Sequence, residues 1–167
     1  KMSVEDNILS VLEMTGKPRE YQMEKLESLI NDFDLQKVRK NLGDQLSGGE
    51  RRRTEIARCL ANDPKFIMLD EPFAGVDPIQ VEEIQNIVWR LKYRNIGILI
   101  TDHNVDETLA ITDRAYLLFE GRILFQGSPE ELAENKIVKE KYLTTGFVLR
   151  KKDFQLSDEQ KRAEEGK

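Results

Sequence analysis

Apolar residues recur at helical spacing along the first sixty positions. Ser3 and Asp6 match a variant of the capping box, and the apolar residues that follow predict a helix over residues 3–14. Gly16 and Pro18 end this helix and open the next one. The apolar stripe of the second predicted helix consists of Met23, Leu26, Leu29, Ile30 and Phe33.

A third helix is predicted over about residues 50–61, with its four arginines largely outward, and an Asp-Pro pair stops it. The next run, Phe66–Leu69, is apolar at every position. A strand that is apolar on both faces is typical of a buried position in a parallel sheet. The run therefore suits a central strand of a parallel sheet better than a half-exposed one.

The helix after Pro78 precedes a second strand that is apolar on both faces, Ile98–Ile100. The core stripe of this helix consists of Val81, Ile84, Ile87, Val88 and Leu91. Strand, helix and strand at these spacings predict a βαβ crossover, in which the two strands run parallel. The predicted fold class is therefore α/β.

The last third of the chain alternates short elements. A helix is predicted over about residues 105–111, and strands over 116–119 and 122–125 flank Glu120-Gly121, which predicts a hairpin with a two-residue turn. A further short helix begins after Ser128. Residues 151–167 are charged and nearly free of large apolar side chains, so we expect a solvated polar tail.

Composition limits the class of protein. The chain has 167 residues, of which 39% are hydrophobic and 34% charged, and its net charge is −5, so it can form one domain with a real core and offers no excess of basic charge to nucleic acid. No apolar run approaches the roughly 18 residues of a membrane-spanning helix. Cys59 is the only cysteine, which excludes a disulfide framework and favours a reduced cytoplasm.

Ser47-Gly48-Gly49-Glu50 opens the third predicted helix. The simplest interpretation is a capping box made by Ser47 and Glu50. It leaves the two glycines unexplained, because each costs up to about 1 kcal/mol relative to alanine in a helix. Glycines at this place allow close approach to unpaired backbone N–H groups, which favours an anion such as phosphate at the helix tip.

Two acids, Asp70 and Glu71, follow the first strand directly. Acids are common where strands end, so a purely structural role is the alternative. In open parallel sheets, however, ligands bind beyond the carboxyl ends of the strands. One carboxylate at such an edge can hold Mg²⁺, usually through water, while the other orients and activates a water molecule.

Asp77 and His103 follow the two predicted strands along the chain. Asp77 precedes Pro78 and suits the N-cap of the next helix, whatever other role it has. His103 is the only histidine, and a single histidine in a loop is usually unremarkable. This one ends the second strand, where it could donate a hydrogen bond to a bound phosphate or position the attacking water.

Together these motifs resemble the ATP-binding cassette family. LSGGE at 46–50 is similar to its signature sequence, FIMLDE at 66–71 to its Walker B strand, AGVD at 74–77 to its D-loop, and TDH at 101–103 to its switch histidine. The resemblance covers about residues 1–150. It implies a partial RecA-like P-loop NTPase core, a parallel sheet with flanking helices, together with the family's α-helical subdomain.

The resemblance also implies domains and residue roles, with ATP and Mg²⁺ as cofactors. The helical subdomain would span 1–62, ending in the signature helix, the C-terminal half of the ATPase core 63–150, and the tail 151–167. Asp70 would support Mg²⁺ through water, Glu71 and His103 would be catalytic, and Asp77 would communicate across the dimer. The residues implied to contact ATP held by the opposite subunit are Ser47, Gly48, Gly49 and Glu50.

The finer wording of the chain, such as ERRRTEIARCLANDPKFIMLDEPFAGVDPI and GILITDHNVDETL, looks like the ATPase subunits of bacterial lipopolysaccharide exporters. This implies a homodimer docked on transmembrane permease subunits at the inner face of the inner membrane, cytoplasmic and without a nucleic-acid partner. ATPase subunits of branched-chain amino-acid importers are the nearest alternative. They usually carry a different signature and Glu before the histidine.

None of the ten glycines fits G-x-x-x-x-G-K-[ST], the loop that cradles phosphates. We therefore expect a truncated cassette that exposes apolar faces and, by itself, hydrolyses essentially no ATP. A catalytically silent half-domain that binds the permease is one alternative function. A soluble cassette protein acting in repair or translation is another.

Overall fold

The computed structural model describes residues 2–143 and 149. Contacts divide the chain into two units, Lys1–Asn104 and Val105–Lys167. The first unit runs past residue 62 because the third helix packs against the helix that follows the first strand. The division predicted at residues 62 and 150 stays a prediction. Among the described residues, none of the helices combines the length and the apolar character needed to cross a membrane.

Three helices form the N-terminal part of the first unit, and all three were predicted. They are α1 (Val4–Met14), α2 (Arg19–Asp32) and α3 (Gly48–Leu60), with two short 3-10 turns, Gln36–Val38 and Gly43–Gln45, between the last two. Ser3 and Asp6 form the predicted capping box. The side chains buried in this part include Ile8, Leu12, Leu26, Leu29, Ile30 and Ile56.

Arg39 fixes the segment between α2 and α3 to the first two helices. Its guanidinium donates to both carboxylate oxygens of Glu27, over 2.9 and 2.6 Å, and to Glu5 over 2.5 Å. The hydrogen bond from Arg39, followed by that from Lys40, lowers the pKa of the Glu5 carboxyl. Because the Arg39 side chain is only 23% exposed and bidentate on Glu27, this network orders the segment more than an isolated surface pair would.

The predicted βαβ crossover is confirmed. Strands β1 (Phe66–Asp70) and β2 (Gly97–Thr101) pair in parallel, and α4 (Pro78–Tyr93) connects them. Asp77 caps α4 by accepting from the N–H groups of Ile79 and Gln80, each over 3.1 Å. Since the strands are parallel, their carboxyl ends lie at one edge of the sheet.

One face of this strand pair is exposed. Ile67 and Leu69 are buried, whereas Phe66 and Met68 are 55% and 71% exposed. The prediction of a central strand, buried on both faces, is therefore wrong for the described residues, whereas the predicted exposure of an apolar sheet face is confirmed in them. Within them β1 and β2 form a two-stranded sheet, and side chains of a strand alternate between its faces, so a helix on one side buries only every second residue.

The second unit is built around a hairpin. Its elements in chain order are α5 (Val105–Leu109), β3 (Ala115–Phe119), β4 (Arg122–Gly127), α6 (Pro129–Glu134) and α7 (Lys136–Lys141). The predicted two-residue turn is confirmed, with φ of 48° at Glu120 and 74° at Gly121, the left-handed conformations that such turns require. The buried core of this unit consists of Leu109, Leu132, Val138 and Leu143. The predicted tail, 151–167, lies outside the described residues.

Candidate functional site

Three of the predicted site residues lie together at the carboxyl edge of the parallel strands. Asp70 ends β1 and accepts a hydrogen bond from the hydroxyl of Thr101, its neighbour at the end of β2. The Nδ1 atom of His103 lies 3.8 Å from Oε1 of Glu71. The expectation that the two acids and the histidine share one edge is confirmed, while their chemical roles stay predictions.

Glu71 has an unusual backbone conformation. Its φ is 45°, in the left-handed region that non-glycine residues seldom adopt. Its N–H donates to the carbonyl of Thr101 over 2.7 Å, and its own carbonyl accepts from the guanidinium of Arg52 over 3.0 Å. These hydrogen bonds hold the residue in place, and its side chain remains 57% exposed at the edge.

Asp102 is a site residue to which sequence reasoning gave no role. Its side chain is fully buried, and its carboxylate accepts from the backbone N–H groups of Phe73, over 3.0 Å, and Asn104, over 2.8 Å. Phe73 follows Glu71 by two positions and Asn104 follows His103 directly, so Asp102 ties the two loops together. The available signal was an acid directly after the second strand, the same pattern that singled out the acids after the first.

We expect Asp102→Asn to loosen both loops. The new NH₂ group would face one of the two backbone N–H donors, and a buried donor left without an acceptor costs about 1–3 kcal/mol. Amide hydrogen exchange at Phe73 or Asn104 should accelerate by about tenfold or more, since about 1.4 kcal/mol is a factor of ten. Glu20→Gln, an exposed acid-to-amide change on α2, is the control. Unchanged protection of both amides would contradict the assigned contacts.

The predicted capping box is present at the tip of α3. The Ser47 hydroxyl accepts from the N–H of Glu50 over 3.3 Å, and the Glu50 carboxylate accepts from the N–H of Ser47 over 2.8 Å. This backbone hydrogen bond lowers the pKa of the Glu50 carboxyl, which favours the ionised carboxylate near the positive end of the helix. Both residues therefore have the structural role that the sequence predicts.

The two glycines of this tip pack against other parts of the same chain. A Cβ atom added to Gly48 would lie 3.1 Å from the carbonyl oxygen of Gly75, and one added to Gly49 would lie 2.2 Å from Oε1 of Gln80. The N–H of Gly49 donates to that oxygen over 2.7 Å. In this structure Gly75 and Gln80 of the same chain make the close approach to the glycine backbone, and the predicted approach of a phosphate stays a prediction.

Two arginines of α3 connect this helix to the carboxyl edge of the parallel strands and to α4. Arg52, whose side chain is 23% exposed, reaches the carbonyl of Glu71, and Arg53, 13% exposed, pairs with Glu83. The arginines of this helix were predicted to point largely outward, and Arg51 and Arg58 are exposed, whereas Arg52 and Arg53 are half-buried. Long arginine stems lie along apolar surface while the guanidinium reaches polar partners, which a helical period alone does not reveal.

Asp70 suits the predicted Mg²⁺ as one ligand among several. Asp70 is exposed, and the Thr101 hydroxyl orients its carboxylate. In the part of the chain that the structure describes, no group of three or more His, Cys, Asp or Glu residues is placed to hold a metal ion. Mg²⁺ is usually bound by one or two carboxylates together with water and substrate phosphates, so a single carboxylate at this edge fits it.

Comparison with known proteins agrees with the motifs. The family described as ABC transporter matches residues 1–74. The lipopolysaccharide export system ATP-binding protein LptB of Acidithiobacillus ferridurans is 50% identical over 149 residues, covering 89% of this chain and 62% of that protein. A probable ABC transporter ATP-binding protein of Azorhizobium caulinodans is 51% identical over 148 residues, covering 89% of this chain and 53% of that protein. The chain thus spans less than two thirds of either relative.

A solved structure supports the fold. The ATP-binding cassette MJ1267 of an ABC transporter matches with a TM-score of 0.74 and 30% identity, over 86% of this chain and 64% of that chain. This match confirms the predicted α/β class, a partial P-loop NTPase core with flanking helices. Taken with the signature, Walker B, D-loop and histidine motifs, the likeness in sequence and fold shows that the chain belongs to the ATP-binding cassette (ABC) family of transporter proteins.

Proposed function

We propose that the protein to which this chain belongs hydrolyses ATP as a homodimer and thereby drives lipopolysaccharide export through transmembrane permease subunits. The observation that carries the proposal is the shared edge of Asp70, Glu71 and His103, where ligands bind in open α/β sheets. The 50% identity to an ATP-binding protein of a lipopolysaccharide export system supports the cargo. The same likeness favours a peripheral position on the cytoplasmic face of the inner membrane.

Each residue of the edge has its own task in the proposed hydrolysis. Glu71, with its exposed carboxylate, orients the attacking water and accepts its proton. His103, 3.8 Å from Glu71, donates a hydrogen bond to the terminal phosphate. Asp70, oriented by Thr101, helps to hold Mg²⁺, which neutralises phosphate charge when it is bound.

The tip of α3 forms the opposite wall of the site in the partner subunit. The Ser47 hydroxyl and the backbone N–H groups of Gly48 and Gly49 begin a 13-residue helix, whose N-terminus favours a negative charge. Two-fold symmetric pairing of two copies gives two equivalent sites, each made by the edge of one subunit and the tip of the other. Asp77, the cap of α4, follows Glu71 by six positions in the chain and is proposed to communicate across the dimer.

Mixed dimers test whether the tip acts across the interface. The protein used is the complete cassette protein, meaning this chain together with the family's phosphate-binding loop. Glu71→Gln and Ser47→Ala are placed either in one subunit beside an unaltered partner or in opposite subunits. With both in one subunit, neither site is intact. With one in each subunit, one of the two sites stays intact, and at an ATP concentration too low to close a site with the alanine tip we expect about half of the unaltered ATPase rate.

Equal ATPase rates from the two arrangements would contradict a site shared between subunits. The cargo is tested separately, by ATP-dependent removal of lipopolysaccharide from vesicles that contain the permease subunits and this ATPase. A phospholipid offered in the same vesicles is the control substrate. Equal removal of both lipids would contradict the proposed cargo while leaving the ATPase assignment in place.

A further inference from the structure

The side chain of Gln80 accepts the hydrogen bond of one backbone N–H group at the tip of α3. Its side-chain oxygen accepts from the N–H of Gly49 over 2.7 Å. Gly49 is buried and Gln80 is half-buried, although the preceding residues, Gly48 and Ile79, are exposed. The two residues are 31 positions apart, so the contact joins the first turn of α4 to the first turn of α3.

The bare backbone of Gly49 is what admits the Gln80 side chain. A Cβ atom at Gly49 would lie 2.2 Å from Oε1 and 2.6 Å from Cδ of Gln80, well inside van der Waals contact. Any larger residue at this position would therefore displace the amide. A backbone N–H has one proton to donate, so an anion that takes the proton of Gly49 must also displace Gln80.

The backbone of Gln80 is fixed while its side chain can leave. Its N–H donates to Asp77 over 3.1 Å as part of the α4 cap, whereas the side chain has three rotatable bonds. An amide oxygen is a neutral acceptor. A phosphate oxygen is a charged acceptor, and it forms the stronger hydrogen bond to an N–H at a helix N-terminus. Phosphate can therefore replace the amide, but at the cost of the bond already present.

We propose that Gln80 is a positioning residue that occupies the N–H of Gly49 until the γ-phosphate of ATP displaces it. The inference rests on the proposed function, in which the tip contacts phosphate across the dimer. Without nucleotide, the Gln80 amide satisfies a buried donor and holds the tip of α3 against α4. When phosphate arrives, loss of that hydrogen bond opposes closure of the dimer, so Gln80 raises the ATP concentration that closure needs.

ATP titration of dimer closure tests this role in the complete cassette protein carrying Glu71→Gln. Gln80→Ala removes the competing acceptor, and we expect half-closure at about two- to tenfold less ATP, the range that one neutral hydrogen bond gives. Gln80→Glu adds a charged acceptor that holds the N–H more strongly and repels phosphate, and we expect about tenfold more ATP. Gln36→Ala, at an exposed glutamine that donates to Asn31, is the control and should change nothing.

The two Gln80 variants should shift the ATP concentration for half-closure in opposite directions if phosphate displaces the Gln80 side chain. A merely structural role of Gln80 would instead make closure harder in both variants. Faster amide exchange at Gly49 in Gln80→Ala, measured without nucleotide, reports the contact itself. If the parent closes with ATP and Gln80→Ala needs as much ATP or more, the role of Gln80 is overturned and the proposed function stands. If the protein that carries Gln80 does not close with ATP, the proposed function fails and this role fails with it.

Discussion

Glu71→Gln is expected to stop ATP turnover in the complete cassette protein while leaving ATP-driven dimer closure intact. Glutamine has the same shape and keeps the backbone hydrogen bonds from Glu71 to Thr101 and from Arg52. It removes the carboxylate that accepts the proton of the attacking water, a contribution worth about 10²–10⁴ in rate. Loss of a negative charge beside the phosphates also favours nucleotide binding, so the closed dimer should accumulate.

The measurement pairs steady-state phosphate release with size-exclusion chromatography in the presence of ATP. Glu120→Gln is a matched control, because Glu120 is also a glutamate at positive φ, 48° against 45° at Glu71, but lies in the hairpin turn. We expect the control to keep the full rate. An unchanged rate in Glu71→Gln would remove this residue from its assigned role, and loss of both closure and turnover would indicate a structural role instead.

Elements with strong periodicity were predictable from the sequence alone. The apolar stripe of α4 and the apolar runs before and after it in the chain predicted two parallel strands joined by a helix. Such patterns indicate both the type of an element and its connection. The parallel pair in turn placed Glu71 and His103 at one edge, which the 3.8 Å separation confirms. The hairpin turn was found despite its unusual first residue, Glu120, because the flanking strands and Gly121 carried the signal.

Contacts between distant parts of the chain were not predictable. The hydrophobic period and the residue spacing relate positions within one helix or strand. They do not indicate that Gln80 fills the space beside Gly49 or that Asp102 accepts a hydrogen bond from the N–H of Phe73. The exposed side chains of Phe66 and Met68 show a related difficulty. Burial stabilises an apolar side chain, but whether the side chain is buried depends on the elements that pack against it.

Ser47→Arg is expected to prevent ATP-driven closure of the dimer. Ser47 is exposed at the tip of α3, and its hydroxyl accepts from the N–H of Glu50. Arginine removes this cap, which costs about 1 kcal/mol, and fills the space through which a phosphate would approach the tip. Its positive charge would by itself attract phosphate. Loss of closure must therefore come from obstruction rather than from electrostatics.

Ser47→Ala separates obstruction from loss of the cap, because alanine removes the hydroxyl without filling the approach. In the Glu71→Gln protein, we expect Ser47→Ala to close at a raised ATP concentration, about fivefold if the cap contributes about 1 kcal/mol. Ser47→Arg should stay monomeric at ATP concentrations that close the alanine variant. Closure of the arginine variant at the same ATP concentration as its parent would show that the tip lies outside the interface. The Ser47 cap and the hydrogen bond between Gln80 and Gly49 are adjacent at this tip. A tip outside the interface would therefore also mean that phosphate does not displace Gln80.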